Sequence, residues 1–150
     1  MSKYDALRLK NQLCFPVYKA NRLILRAYQP LLETLDLTYP QYLVLMVLWE
    51  HDELSVKEIG EWLMLNTNTL TPLLKRLQKR QLLTRERSRT DERKVVVRLT
   101  PAGKELREQA LNIPTRLTDS MHMPVEELRA LKQQLHTFIN AIEKAEEQEG

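Results

Sequence analysis

One stretch of this sequence changes period. Up to about residue 80 apolar side chains recur at spacings of three and four. From Leu83 to Leu99 the texture becomes Leu-Thr-Arg-Glu-Arg, then Ser-Arg-Thr-Asp-Glu-Arg, then Lys-Val-Val-Val-Arg-Leu. Two β-prone stretches around a polar, arginine-rich turn predict a hairpin. Helix signals then return: Thr100-Pro101 opens a helix, and Pro114 and Pro124 delimit the remaining C-terminal segments. A chain helical on both sides of one short hairpin reads as mainly α with a small β-hairpin wing. Its 150 residues suffice for one domain with a real core, so residues 1–150 are read as a single unit.

The helices follow from local patterns. Leu13, Val17, Ala20, Ile24, Ala27, Leu31 and Leu35 form one stripe and predict a long first helix from Asn11 to about Leu35, bent or shifted in its bounds by Pro16 and Pro30. Thr38-Tyr39-Pro40-Gln41 is a capping box with proline in the first turn, and the following Tyr-Leu-Val-Leu-Met-Val-Leu-Trp is apolar almost all round, which predicts a buried helix. Ser55-Val56-Lys57-Glu58 opens a short third helix running to about Met64, and Asn66 or Thr67 caps a fourth. In that fourth helix Leu70, Leu73, Leu74 and Leu77 make a packing face opposite Asn68, Thr71, Lys75 and Lys79, with Pro72 expected to distort it locally. The last helix carries Leu128, Leu131, Leu135, Phe138 and Ile142, spaced like a coiled-coil seam.

Charge is localised. The net charge is +3, yet Lys75 to Arg98 holds ten Lys and Arg against three acids, so this segment carries +7 and the rest of the chain −4. A basic stripe on an otherwise acidic protein points to a polyanionic partner. Short helix, tight turn, helix with a polar face and basic hairpin together describe a winged helix-turn-helix, spanning about 38–100. The second of its helices enters the major groove of double-stranded DNA, and the hairpin reaches the minor groove or phosphates. Candidate DNA contacts are Asn66, Thr67, Asn68, Thr69, Thr71, Lys75, Arg76 and Lys79 on the helix, and Arg87, Arg89, Arg93 and Lys94 in the hairpin. The alternative is an ordinary amphipathic surface helix whose arginines serve solubility. Striped helices at both ends, about 1–35 and 110–147, suit a homodimer that sets two reading helices about 34 Å apart on a two-fold operator.

Other classes are disfavoured. No stretch has roughly 18 uninterrupted apolar residues, and the N-terminal MSKYDALRLKNQL has no apolar run of signal-peptide length, so a cytoplasmic protein without membrane association is expected. One cysteine excludes an intrachain disulfide framework; no CxxC is present, and His51, His122 and His136 are scattered, so neither a metal nor another cofactor is expected.

Asp-Glu-Arg-Lys at 91–94, followed by Val-Arg-Leu-Thr-Pro-Ala-Gly at 97–103, closely resembles the wing signature of the MarR family. Asn-Gln-Leu-Cys-Phe-Pro-Val-Tyr (11–18), Leu-Thr-Tyr-Pro-Gln-Tyr (37–42) and Asn-Thr-Leu-Thr-Pro-Leu-Leu-Lys-Arg-Leu (68–77) resemble its organic hydroperoxide resistance branch. The resemblance spans roughly residues 8–110. It implies a dimeric repressor that binds its operator when reduced and leaves it once a peroxide oxidises a helix 1 cysteine. Residue by residue it makes Cys14 the reactive cysteine, Tyr28 and Tyr39 the tyrosines that hydrogen-bond it, and Tyr18 a member of the same pocket. It makes Arg93 the minor-groove arginine, and Asn66, Thr67, Thr69, Lys75 and Arg76 the DNA-facing part of the fourth helix. The second cysteine of two-cysteine members is absent, so the chain looks like the one-cysteine kind. Staphylococcal global regulators share the Gln-Leu-Cys-Phe motif, which leaves the regulated genes open.

A free thiol titrates near ~8.5, so a sensor must favour its thiolate, and Tyr28, Tyr39 and Lys10 are available types. Without the resemblance, a lone cysteine among Leu13, Phe15 and Val17 reads as an inert core thiol. Tyr28 lies fourteen residues beyond Cys14, ~21 Å along a continuous helix, so the two would meet only between subunits, with first helices crossing near Asn21. The expected chemistry is a sulfenic acid from an organic hydroperoxide, then condensation with a low-molecular-weight thiol or further oxidation. Three other functions stay open: a regulator released by a small aromatic ligand, a thiol peroxidase, and a helical interaction module.

Overall fold

The computed structural model describes residues 2–150. They divide into two compact units, one ending at Ile113 and one running from Pro114 to Gly150. In the first unit two 3-10 turns, Asp5–Leu7 and Leu9–Asn11, precede α1 (Cys14–Glu33), α2 (Tyr39–Glu50), β1 (Glu53–Ser55), α3 (Val56–Leu63), α4 (Thr67–Lys79), β2 (Leu83–Arg87), β3 (Val95–Leu99) and α5 (Pro101–Ala110). Helix α6 (Ile113–Ser120) begins at the boundary, and α7 (Val125–Glu149) dominates the second unit. Among the described residues no helix is long and apolar enough to cross a membrane.

The first helix begins at Cys14, three residues later than the stripe implied. Asn11 belongs to a 3-10 turn, and its side-chain amide and that of Gln12 donate to the carbonyls of Asp5, Ala6 and Arg8. Pro16 then falls in the first turn of α1, where its missing N–H would have had no partner anyway. Pro30 does not end the helix either. The stop comes at a Schellman turn: Asp36 takes the left-handed conformation (φ 53°), the Leu37 N–H bonds Leu32 O at 3.1 Å and the Asp36 N–H bonds Glu33 O at 3.1 Å. The stripe itself splits, since Leu31 and Leu35 are buried while Leu13, Val17 and Ile24 stay exposed.

Helix α2 is the centre of the first unit. Both halves of the Thr38 capping box form, and Tyr42, Val44, Leu45, Val47 and Leu48 are all buried. Around it pack α1, α3, α4 and α5, contributing Leu32, Ile59, Leu70, Leu74, Leu77 and Leu106 to the core. Ser55 caps α3 through the second capping box, and Asn66 caps α4, its Oδ1 accepting from the Thr69 N–H at 2.9 Å. Pro72 removes one hydrogen bond from α4, yet the helix continues to Lys79.

The predicted hairpin is part of a three-stranded antiparallel sheet in the order β1-β3-β2. Val97 is its buried centre, opposite Leu54 on one side and Arg85 on the other. Strand β1 has no sequence signal of its own: three residues, Glu-Leu-Ser, are too short to show a period of two, and only the edge of β3 makes them a strand.

Two close approaches lock α5 to this unit. The Trp49 indole N–H donates to Gly103 O at 2.9 Å, and a Cβ placed on Gly103 would lie 2.0 Å from Leu82 O. The turn bearing Leu82 is another Schellman turn, with Gln81 left-handed (φ 60°), Leu82 N–H on Leu77 O and Gln81 N–H on Gln78 O. Gly103→Ala should therefore cost about 3 kcal/mol, because a backbone carbonyl must shift. Gln81→Gly should instead stabilise by about 1 kcal/mol by relieving a side chain of φ > 0. Urea unfolding of both variants reads the opposite signs directly.

Candidate DNA interface and thiol site

Helix α4 presents two faces. Leu70, Leu73, Leu74 and Leu77 are buried, whereas Thr67, Asn68, Thr69, Lys75, Arg76 and Lys79 are exposed and Thr71 is half-buried. Asn66 spends its side-chain oxygen on the cap, which leaves its amide N–H groups to reach outward. Thr67 and Thr71 of this face line a cleft of about 750 Å³ together with Lys57, Glu58 and Glu61 of α3, Arg85 of β2 and Asp91, Arg93 and Lys94 of the hairpin tip. Arg85 donates from Nε to Gln78 Oε1 at 2.7 Å and so ties β2 to α4.

The hairpin tip is held by its own backbone. Ser88 N–H bonds Lys94 O at 2.8 Å, Lys94 N–H bonds Asp91 O at 2.9 Å, and Arg87 donates to Glu92 O at 2.8 Å. Asp91 accepts from the Arg93 N–H at 3.0 Å, and its carboxylate lies 3.5 Å from the Arg93 guanidinium, whose side chain is 94% exposed. Arg89, Arg93 and Lys94 thus project from an ordered tip, while Arg87 is partly committed to holding it. At the base of the sheet Arg98 bridges Glu53, at 2.6 Å, and Glu86, at 3.9 Å. Strand pairing brings these three together, and no sequence motif announces it.

The thiol candidates fall into two separate places in one chain. Cys14 is exposed at the first position of α1. Tyr18 lies near it, packed on Phe15 (6.3 Å between ring centres) with the Arg22 guanidinium over its ring. Tyr28 and Tyr39 meet elsewhere, 5.0 Å apart, with Tyr42 at 5.9 Å from Tyr28. Since α1 is unbroken from Cys14 to Tyr28, fourteen residues at ~1.5 Å each keep this cluster ~21 Å from its own chain's thiol. Tyr18 therefore does not join the tyrosine cluster within one chain. Tyr42 does, and its placement three residues after Tyr39 on α2 is the signal that could have found it.

Burial raises the hydroxyls of this cluster. Tyr28 is pushed up to about 12, chiefly by desolvation and secondarily by Tyr39 and Tyr42; Tyr39 and Tyr42 are raised by the same desolvation. All three hydroxyls are protonated donors at neutral pH. Glu58 moves the other way: the Ser55 backbone N–H it accepts, the same bond that closes the α3 capping box, holds its carboxyl below the usual range.

The chain has counterparts among known proteins. The family described as Transcriptional regulator SarA/Rot matches residues 26–110. The organic hydroperoxide resistance transcriptional regulator of Bacillus subtilis is 45% identical over 141 residues, covering 94% of this chain and 96% of that protein. This chain belongs to the family of organic hydroperoxide resistance and SarA/Rot transcriptional regulators. Solved structures of AbfR, a protein of Staphylococcus epidermidis, are similar too. Reduced AbfR bound to DNA matches with a TM-score of 0.74 and 35% identity, covering 94% of this chain and 99% of that one. Overoxidised AbfR bound to DNA matches with a TM-score of 0.73 and 34% identity over 93% and 99%. The fold of this hydroperoxide-resistance-type regulator is thus one that has been captured on DNA in a relative.

The raised tyrosines give a pH signature. A hydroxyl that ionises at higher pH in the folded chain than in the unfolded one holds its proton longer when folded. Its contribution to stability is then complete below about pH 10 and is lost as pH rises toward 12. Thermal unfolding between pH 9 and 12 should show this decline, and Tyr28→Phe should make it shallower.

Proposed function

We propose that this chain is a cytoplasmic, peroxide-sensing repressor, a regulator rather than an enzyme, whose single thiol and whose tyrosine cluster form one site only in a homodimer. The observation that carries the reading is the ~21 Å of unbroken helix between an exposed Cys14 and the protonated hydroxyls of Tyr28 and Tyr39. Two copies with antiparallel α1 helices crossing near Asn21 would bring each thiol to the partner's tyrosines. The face available for that crossing is apolar: Leu13, Val17 and Ile24 fall on one side of the helix and are exposed on one chain. In the second unit α7 independently exposes Leu131, Leu135, Phe138 and Ile142 along its seam. Faces of this kind suit a two-fold interface.

The chemistry balances with two reactants. The Cys14 thiolate attacks the terminal oxygen of an organic hydroperoxide, the O–O bond breaks, and the alkoxide leaves as the alcohol after taking a proton. The resulting sulfenic acid condenses with a small cellular thiol, releasing water and leaving a mixed disulfide. Overoxidised AbfR has been captured on DNA, so in that relative added oxygen atoms are compatible with the bound state. For this chain we therefore assign release to the bulk of the thiol adduct, which displaces Tyr28 and Tyr39 and alters the spacing of the two α4 helices. Because the two reading heads must match their half-sites, a modest rotation suffices to break binding.

On DNA, α4 is assigned to the major groove, with Asn66, Thr67, Asn68, Thr69 and Thr71 toward base edges and Lys75, Arg76 and Lys79 toward phosphates. Arg87, Arg89, Arg93 and Lys94 are assigned to the minor groove and its flanking phosphates. Binding to DNA from upstream of its own gene should weaken after treatment with an organic hydroperoxide plus a small thiol, and return on reduction. Cys14→Ser should bind equally before and after; its release by peroxide would overturn the reading, and release by an aromatic acid alone would favour ligand sensing. Arg93→Ala should weaken binding in all sequences and lower the slope of log K against log salt by about 1–2, two arginines being lost per dimer.

A further inference from the structure

Arg80 caps a helix that is not its own. Helix α1 ends with carbonyls that have no intrahelical partner, at the negative end of its dipole. Arg80, the residue that ends α4, donates from Nη2 to Leu35 O at 3.1 Å and from Nη1 to Asp36 O. Both acceptors belong to the turn that closes α1, and two residues further on Thr38 caps α2 and leads into Tyr39. The same Arg80 begins the Schellman turn of α4. There Gln81 O accepts from the Thr100 hydroxyl at 2.6 Å and Leu82 O from the Thr100 N–H at 3.1 Å, at the junction of β3 and α5. One side chain therefore joins the turn that carries Tyr39 to the junction from which α4 and the hairpin both depart.

We propose that Arg80 is a positioning residue that transmits displacement of Tyr28 and Tyr39 to the DNA-reading elements. The proposal rests on the redox reading of Cys14 and adds the route inside one chain. A planar guanidinium with two donors in a fixed fork does not let the 34–37 turn slide past α4: the two move together or both bonds break. The residue is not part of the core. Arg80 is exposed, and the buried Leu77 and Leu82 hold the α4 turn without it. Its removal leaves the fold standing and cuts the link.

The test uses full-length Arg80→Gln and Arg80→Lys proteins, with DNA from upstream of the gene as probe. Dissociation constants are measured before and after treatment with an organic hydroperoxide and a small thiol. The expected result for Arg80→Gln is reduced-state affinity within about threefold of wild type, an unchanged salt slope, and a ratio of oxidised to reduced Kd smaller by at least about fivefold. Arg80→Lys keeps the charge and loses the fork, so it should follow Arg80→Gln. A wild-type ratio in Arg80→Gln would overturn the proposal. So would a lower affinity and a shallower salt slope with the ratio intact, which would make Arg80 a phosphate contact. Amide exchange in the reduced, DNA-free protein separates this link from the redox reading. Loss of Arg80 should speed exchange at both 35–37 and 81–82, and unchanged exchange at either turn would sink the link whatever peroxide does.

Discussion

Helix α2 has almost no polar side to give to water, and the first unit is built around covering it. Tyr42, Val44, Leu45, Val47 and Leu48 take up more than half of the helix circumference and each is buried, while Leu43 and Met46 on the remaining side are half-buried. A buried Val or Leu contributes about 2 kcal/mol relative to an exposed one, so leaving any side of α2 uncovered would be costly. Four helices, α1, α3, α4 and α5, pack against it. The consequence for function is indirect but strict. Because α4 spends Leu70, Leu73, Leu74 and Leu77 on this core, its opposite face must look outward, and that face is polar and basic.

The close contacts near Leu82 set where that face points. Gly103 is a glycine because the Leu82 carbonyl occupies the space of a Cβ, and Thr100 both caps α5 and holds the turn that ends α4. The hairpin leaves from the same turn. Reading helix and wing are thus fixed to one another by backbone hydrogen bonds, with Arg85 and Gln78 adding a side-chain tie. By comparison the ion pairs of Arg98 with Glu53 and Glu86 are half exposed, and such pairs contribute at most about 1 kcal/mol. Geometry here is a matter of main chain and packing, and surface charge is left free for phosphates.

Much of this could be read in the chain. Thr38, Ser55, Asn66 and Thr100 each signal a helix start with a local mechanism, and each performs it. The stops are less legible. Asp36, Met64 and Gln81 all take left-handed conformations usually given to glycine, so the residues that end α1, α3 and α4 carry no compositional mark. Strand β1 and the Glu53–Arg98–Glu86 cluster exist only through pairing with β3, forty-five residues away in the case of Glu53 and Arg98. The same applies to Arg80, whose partners at 35 and 36 are distant in sequence. The thiol site is named by a resemblance, and spacing alone says only that Cys14 and Tyr28 are too far apart on one helix to touch.

That separation is what would let a single cysteine suffice as a switch in the proposed dimer. A thiol buried in a core reports nothing, because peroxide and small thiols cannot reach it and its adduct has no room. A thiol fully in water reports nothing either, because an adduct there displaces no packed group. Cys14 on one chain is exposed, and the tyrosines proposed to face it are half-buried, aromatic and packed on one another. In the proposed dimer, closing the first against the second at a subunit boundary would give a pocket accessible enough to react and tight enough to be disrupted. Tyr39 sits at the start of α2, so a disturbance there would enter the first unit at the cap of the helix around which α1, α3, α4 and α5 pack.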